Sequence, residues 1–192
     1  MSLKASTLIL AIAMGCMPAQ DASDQGLARL LANDVTRRGA VASILASGGE
    51  KAPLLLLWAQ NPPAQVDKYG LFVGLADAFG QLKTREAIPF LIKNITIDRT
   101  RAVNTWLKRP EVIEERLAAV AALVRIGPEA SRALIHASWE PMAPEDRLAA
   151  IFAISRIKGV PESREFLSSA LAEANMERYW LEDGIKLLDA RR

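Results

Sequence analysis

One histidine, His136, and one cysteine, Cys16, make up all the imidazole and thiol chemistry of this 192-residue chain. A zinc site of histidine and cysteine ligands cannot be assembled from that pair, so no metal or other cofactor is expected. A serine triad would have to recruit His136, and no nucleophile stands near it in sequence. Gly48-Gly49-Glu50-Lys51 superficially has the look of a phosphate loop. It lacks both the glycine-to-lysine spacing and a preceding strand, and reads instead as a helix stop. Asn94-Ile95-Thr96 fits a glycosylation sequon, a pattern common by chance. Carboxylates remain: Glu114 with Glu115, Glu145 with Asp146, or Asp183 could pair across helices for acid–base work. The first four fall in or near the first turn of an expected helix, where unpaired N–H groups and the macrodipole favour acidic side chains without catalysis. No catalytic residue is assigned, and the chain reads as non-enzymatic.

Charge and hydropathy narrow the class further. With 24 basic and 22 acidic residues the net charge is +2, without the strong basic excess of a surface built for nucleic acid. No apolar run reaches the roughly 18 to 20 residues of a bilayer span. At the N-terminus, Lys4 precedes an uncharged, mostly apolar run over 5–15, followed at once by Cys16 and then by a polar stretch over 20–26. An apolar run of that length is a signal-peptide core rather than a span. A small residue, Gly15, followed by the only cysteine resembles the lipobox of bacterial lipoproteins, in which the cysteine is lipidated and becomes the first mature residue. Ala13 and Met14 depart from the usual leucine and small residue of that motif. A plain secretory signal cut near Gly15 or Ala19 is the alternative, as is an ordinary buried helix over 1–20. The division expected is a signal peptide over 1–15, a linker over 16–33 after a lipidated Cys16, and a folded domain over 34–192. That places the protein outside the cytoplasm, periplasmic or membrane-anchored. With a single cysteine, core packing alone must hold the domain.

The elements that would position any site come from periodicity. Arg116, Arg147 and Arg178 stand 31 residues apart, and each opens a similar pattern. Apolar or small residues follow at Ala119, Val120, Ala122, Leu123 and Ile126, and again at Ala150, Ile151, Ala153, Ile154 and Ile157. The third copy carries Leu181, Gly184, Ile185 and Leu188. Weaker copies start at Arg38, with Val41, Ala42, Ile44 and Leu45, and at Phe72, with Leu75, Ala76, Ala78, Phe79 and Leu82. Such spacing places one apolar face on a 3.6-residue helix. First helices are expected at about 34–47, 66–82, 111–126, 144–157 and 176–190. The small residues Ala78, Ala122, Ala153 and Gly184 would let a neighbouring helix come close. Each of the first four is followed by a second amphipathic run, opened in two copies by Gly127-Pro128-Glu129 and Val160-Pro161-Glu162. Proline at a helix start and glutamate in its first turn suit an N-terminus. The chain is therefore expected to be all-α, an α-solenoid of about four and a half helix pairs, without strands.

One interruption breaks the rhythm. Leu45 to Phe79 is a step of 34 and Leu123 to Ile154 one of 31, but Phe79 to Leu123 is 44. An insertion at about 96–110 accounts for the difference. It contains Asp98, Arg99, Arg101, Trp106, Lys108 and Arg109, a basic loop with one tryptophan that could anchor an acidic partner or anionic headgroups. A solvated connector is the plainer reading of the same residues.

The string Arg116-x-x-Ala119-Val120-x-Ala122-Leu123-x-x-Ile126-Gly127, followed by Glu129 and Leu134-Ile135, resembles the consensus of HEAT repeats, in the HEAT-like form of phycobiliprotein lyases. The resemblance covers 34–192. It implies two helical layers and a curved binding surface, with the second helices lining the concave side. Trp58 and Trp139, near the ends of second helices, would then be aromatic anchors for a partner, unless they are buried between repeats. A fold of this kind does not carry an activity by itself. The expected function is a protein-interaction module or scaffold of the bacterial cell envelope, binding another protein or peptide and meeting the membrane through a lipid anchor. The alternatives are an enzyme accessory resembling the bilin lyases, or a nucleic-acid-binding HEAT-like protein.

Overall fold

A computed structural model describes residues 19–101, 112–137, 142–173 and 186. All regular structure among them is helical. In chain order the helices are α1 (Ala19–Ala32), α2 (Arg37–Ala46), α3 (Ala52–Gln60), α4 (Lys68–Leu82), α5 (Ile88–Lys93, entered through a 3-10 turn at Arg85–Ala87), α6 (Ile113–Arg116), α7 (Ala118–Ile126), α8 (Pro128–Ala137), α9 (Pro144–Lys158) and α10 (Val160–Glu173). Local chemistry sets several of the ends. Asp67 accepts from the Tyr69 N–H at 3.2 Å and so caps α4. Gly127, at φ 93°, and Gly159, at φ 83°, end α7 and α9 in a conformation that side chains with a Cβ resist. Pro128 and Pro144 open α8 and α9, where a missing N–H leaves no hydrogen bond unmade.

Helices occupy 37–60, 68–93, 113–137 and 144–173, broken by short turns, so the expected all-α character is found among the described residues. The expected helix over 176–190 lies outside the described residues. One core runs through these helices. Ile44, Leu75, Phe79, Ala119, Val120, Leu123, Ala150 and Ile154 are all buried, the repeat positions of four first helices. Phe79 and Phe72 each meet Phe90 edge-on, at 5.9 Å and 5.0 Å between centroids. Helix α4 is the hub, packing on α1, α2, α3 and α7, and α7 in turn packs on α9. The expected small residues Ala78, Ala122 and Ala153 are fully buried. At Gly80 of α4 an added Cβ would lie 2.7 Å from the Ala122 Cα, so α4 and α7 approach backbone to backbone.

Two expectations need correction. Residues 19–32 are a helix, where a linker over 16–33 was expected. Ala28 and Leu31 are fully buried, and the α1 carbonyls of Leu31 and Ala32 face Gly74 and Gly70 of α4. The helix has only a short apolar face, Leu27, Ala28, Leu31 and Ala32, set among polar residues, too brief for a repeat search to register. Gly74→Ala would place a methyl against the Leu31 carbonyl. The overpacking, about 1–3 kcal/mol, outweighs the roughly 1 kcal/mol of helix propensity gained. A net loss of up to about 2 kcal/mol is expected from urea denaturation.

The second correction concerns 111–126, expected as one helix and observed as two. Leu117 interrupts it in an extended conformation, φ −88° and ψ 100°, and forms an isolated antiparallel bridge with Asp98. The Arg99 N–H donates to the Arg116 carbonyl at 2.8 Å. The insertion is thus tied to the helix that follows it, and helix continuity gives way at that point.

Candidate functional site

Of the carboxylates that could have done chemistry, Glu114, Glu145 and Asp146 make contacts within the fold, and Glu115 is exposed. Glu114 accepts from Arg156 Nε at 2.8 Å, and Asp146 accepts from the Thr96 hydroxyl at 2.8 Å. Glu145 and His136 also make contacts, and Asp183 lies outside the described residues. Among the described residues no group of three or more His, Cys, Asp or Glu is placed to hold a metal ion. No described helix is long and apolar enough to cross a membrane.

The first residues of the insertion form a clamp. Asp98 is 2% exposed, accepts from Arg116, and accepts from the Thr100 N–H at 2.8 Å and hydroxyl at 2.7 Å. The Tyr69 hydroxyl, reaching over from α4, donates to the Asp98 carbonyl at 2.7 Å and accepts from its N–H at 3.0 Å. Arg99 pairs with Asp77 at 2.6 Å. Arg101 pairs with Asp67 and lies 5.2 Å over the Tyr69 ring. Both arginines were expected as binding residues, and both are engaged by carboxylates of the fold. Arg116, which opens one copy of the 31-residue pattern, is bound by the Asp98 carboxylate. Trp58 is 5% exposed and belongs to the core, so it is no surface anchor: α3 is largely apolar and turns its indole inward. Cys16, Trp106 and Trp139 lie outside the described residues.

A groove of about 450 Å³ lies open over α2, α4 and α7. Helix α2 contributes Arg37, Arg38, Val41, Ala42 and Leu45, residues spaced to share one face. Helix α4 contributes Asp77 and Gln81, α7 contributes Arg125, and Asp34 stands at the rim. Leu45 occupies the repeat position of Phe79, Leu123 and Ile154, all fully buried, yet it is 37% exposed. In its repeat the equivalent apolar position meets the groove instead of another helix. Arg37 belongs to the scaffold: it is nearly buried and donates to the Leu31 carbonyl at 3.1 Å and the Ala32 carbonyl at 3.3 Å, while also binding Asp34. It closes the C-terminal end of α1, where a cation is favoured. Arg38, the arginine singled out by the repeat, is exposed, and so is Arg125.

This groove was not visible in the sequence. Its single trace is that Ala42 and Leu45 sit at core positions of a repeat in which Arg38 and Arg125 supply no partner for each other. Compared with protein-family models, with curated proteins and with solved structures, the chain matches none.

Proposed function

We propose that this protein is a non-enzymatic scaffold of the bacterial cell envelope, an α-solenoid of HEAT-like helix pairs that holds another protein or peptide. The observation that carries the reading is the groove over α2, α4 and α7, apolar along Val41, Ala42 and Leu45 and flanked by arginines. It is supported by the structural use of the carboxylates and by the 31-residue recurrence of the helical pattern. A surface that combines an aliphatic strip with guanidinium groups suits a protein partner, since arginine beside apolar area is enriched where proteins meet. The groove lies on the first helices, so the docking face proposed is theirs and not that of the second helices.

Export and anchoring are proposed on the N-terminal segment, whose apolar run ends at Gly15-Cys16. Mass spectrometry of the mature N-terminus is expected to find a diacylglyceryl group on Cys16. An intact Met1 on cytosolic protein would refute this placement. For the scaffold itself, affinity capture of the full chain from envelope extract is expected to recover one specific partner. Turnover of a small substrate with no partner recovered would refute it.

A further inference from the structure

We infer that the groove over α2, α4 and α7 receives an acidic linear segment of a partner protein, with carboxylates on either side of an aliphatic side chain; this rests on the scaffold reading above. The charges decide the sign. Five charged side chains line the groove, Asp34, Arg37, Arg38, Asp77 and Arg125. Asp34 is taken by Arg37 and Asp77 by Arg99. Arg38 and Arg125 have no carboxylate partner among the described residues, so the groove presents two uncompensated guanidinium groups.

Their placement decides the shape. Arg38 lies in the first turn of α2 and Arg125 in the last turn of α7, with α4 packed against both helices. A ligand that engages both must cross α4, where Gln81 is exposed and offers an amide donor and acceptor to a passing backbone. Along α2, Arg38 to Leu45 spans roughly 10 Å at 1.5 Å per residue. An extended chain covers that in about three residues at roughly 3.3 Å each. An acidic residue followed closely by an aliphatic one therefore matches the α2 wall, its carboxylate on the planar fork of Arg38 and its aliphatic side chain over Ala42 and Leu45, while a second carboxylate farther along the segment meets Arg125 beyond α4. Duplex nucleic acid is a poorer occupant, because Asp34 and Asp77 lie on the same surface and the free charge is confined to two side chains.

The test is a fluorescence-anisotropy titration of the full chain with a labelled eight-residue peptide carrying glutamates on either side of a leucine. The same peptide with glutamines, or with lysines, serves for comparison. The glutamate peptide is expected to bind about tenfold more tightly than the glutamine peptide and to weaken with added salt. Arg38→Glu and Arg125→Glu are each expected to weaken it by about tenfold and to shift preference toward the lysine peptide. Both side chains are exposed, so melting curves should not move. Equal affinity for the glutamate and glutamine peptides, unaltered binding in both variants, or displacement of the peptide by a short DNA duplex would overturn the assignment. A partner captured from envelope extract equally well by the wild-type chain and both variants would leave the scaffold standing and remove its docking site from this groove.

Discussion

Asp98→Ala is expected to destabilise the fold by about 3–5 kcal/mol, the range for breaking a buried ion pair from one side. The Asp98 side chain is 2% exposed and that of its partner Arg116 is 17% exposed. Removing the carboxylate leaves the guanidinium with the Thr100 hydroxyl at 3.0 Å, and its Nε already lacks a hydrogen-bond partner. The Thr100 N–H and hydroxyl lose their acceptor in the same step. Asp98→Asn, which keeps shape and one acceptor, should lose less. Pairing Asp98→Ala with Arg116→Met should recover part of the loss, because no charge then remains buried and unmatched. Urea midpoints with unchanged m-values would measure all three. A loss under about 1 kcal/mol for Asp98→Ala, the scale of exposed pairs, would mean that the clamp between the insertion and α6 does not hold in solution.

Leu31→Ala is expected to lower stability by about 2–5 kcal/mol through lost burial and the cavity left behind. Leu31 is fully buried and its backbone lies against Gly74 of α4. Its neighbour Leu30 is 46% exposed, and Leu30→Ala should stay within about 0.5 kcal/mol. That contrast separates a docked α1 from a tether. If residues 19–32 were a linker, both substitutions would be neutral.

The helices were legible because their pattern is periodic and repeated. Leu75, Phe79, Leu123 and Ile154 recur at matched positions, and each is buried where the 3.6-residue period places it. Helix boundaries followed from Gly127, Pro128 and Pro161, residues whose backbone constraints act locally. Three features escaped that logic for different physical reasons. Helix α1 docks through a short face and through glycines on another helix, a complementarity between distant segments that no window along the chain contains. The break at Leu117 comes from a pairing with Asp98, across the insertion. Arg99 and Arg101 look like free cations in sequence, and only the fold brings Asp77 and Asp67 to them. The same reasoning inverts Trp58, whose aromatic character suggested an anchor and whose helix turns it into the core. The groove is the complement of these cases. Leu45 follows the core pattern, but no described helix covers it, and an unfilled core position is evident only once its neighbours are placed.

The central claim is that the outer face of α2, α4 and α7 receives another protein. Site-specific photocrosslinking in cells addresses it directly, with a photoreactive residue at Ala42, exposed inside the groove, and a control at Glu86, exposed in the turn before α5. One discrete adduct is expected from Ala42 and none from Glu86, with the Ala42 adduct lost in Arg38→Glu. Adducts from Glu86 alone, or an Ala42 adduct indifferent to Arg38→Glu, would contradict it.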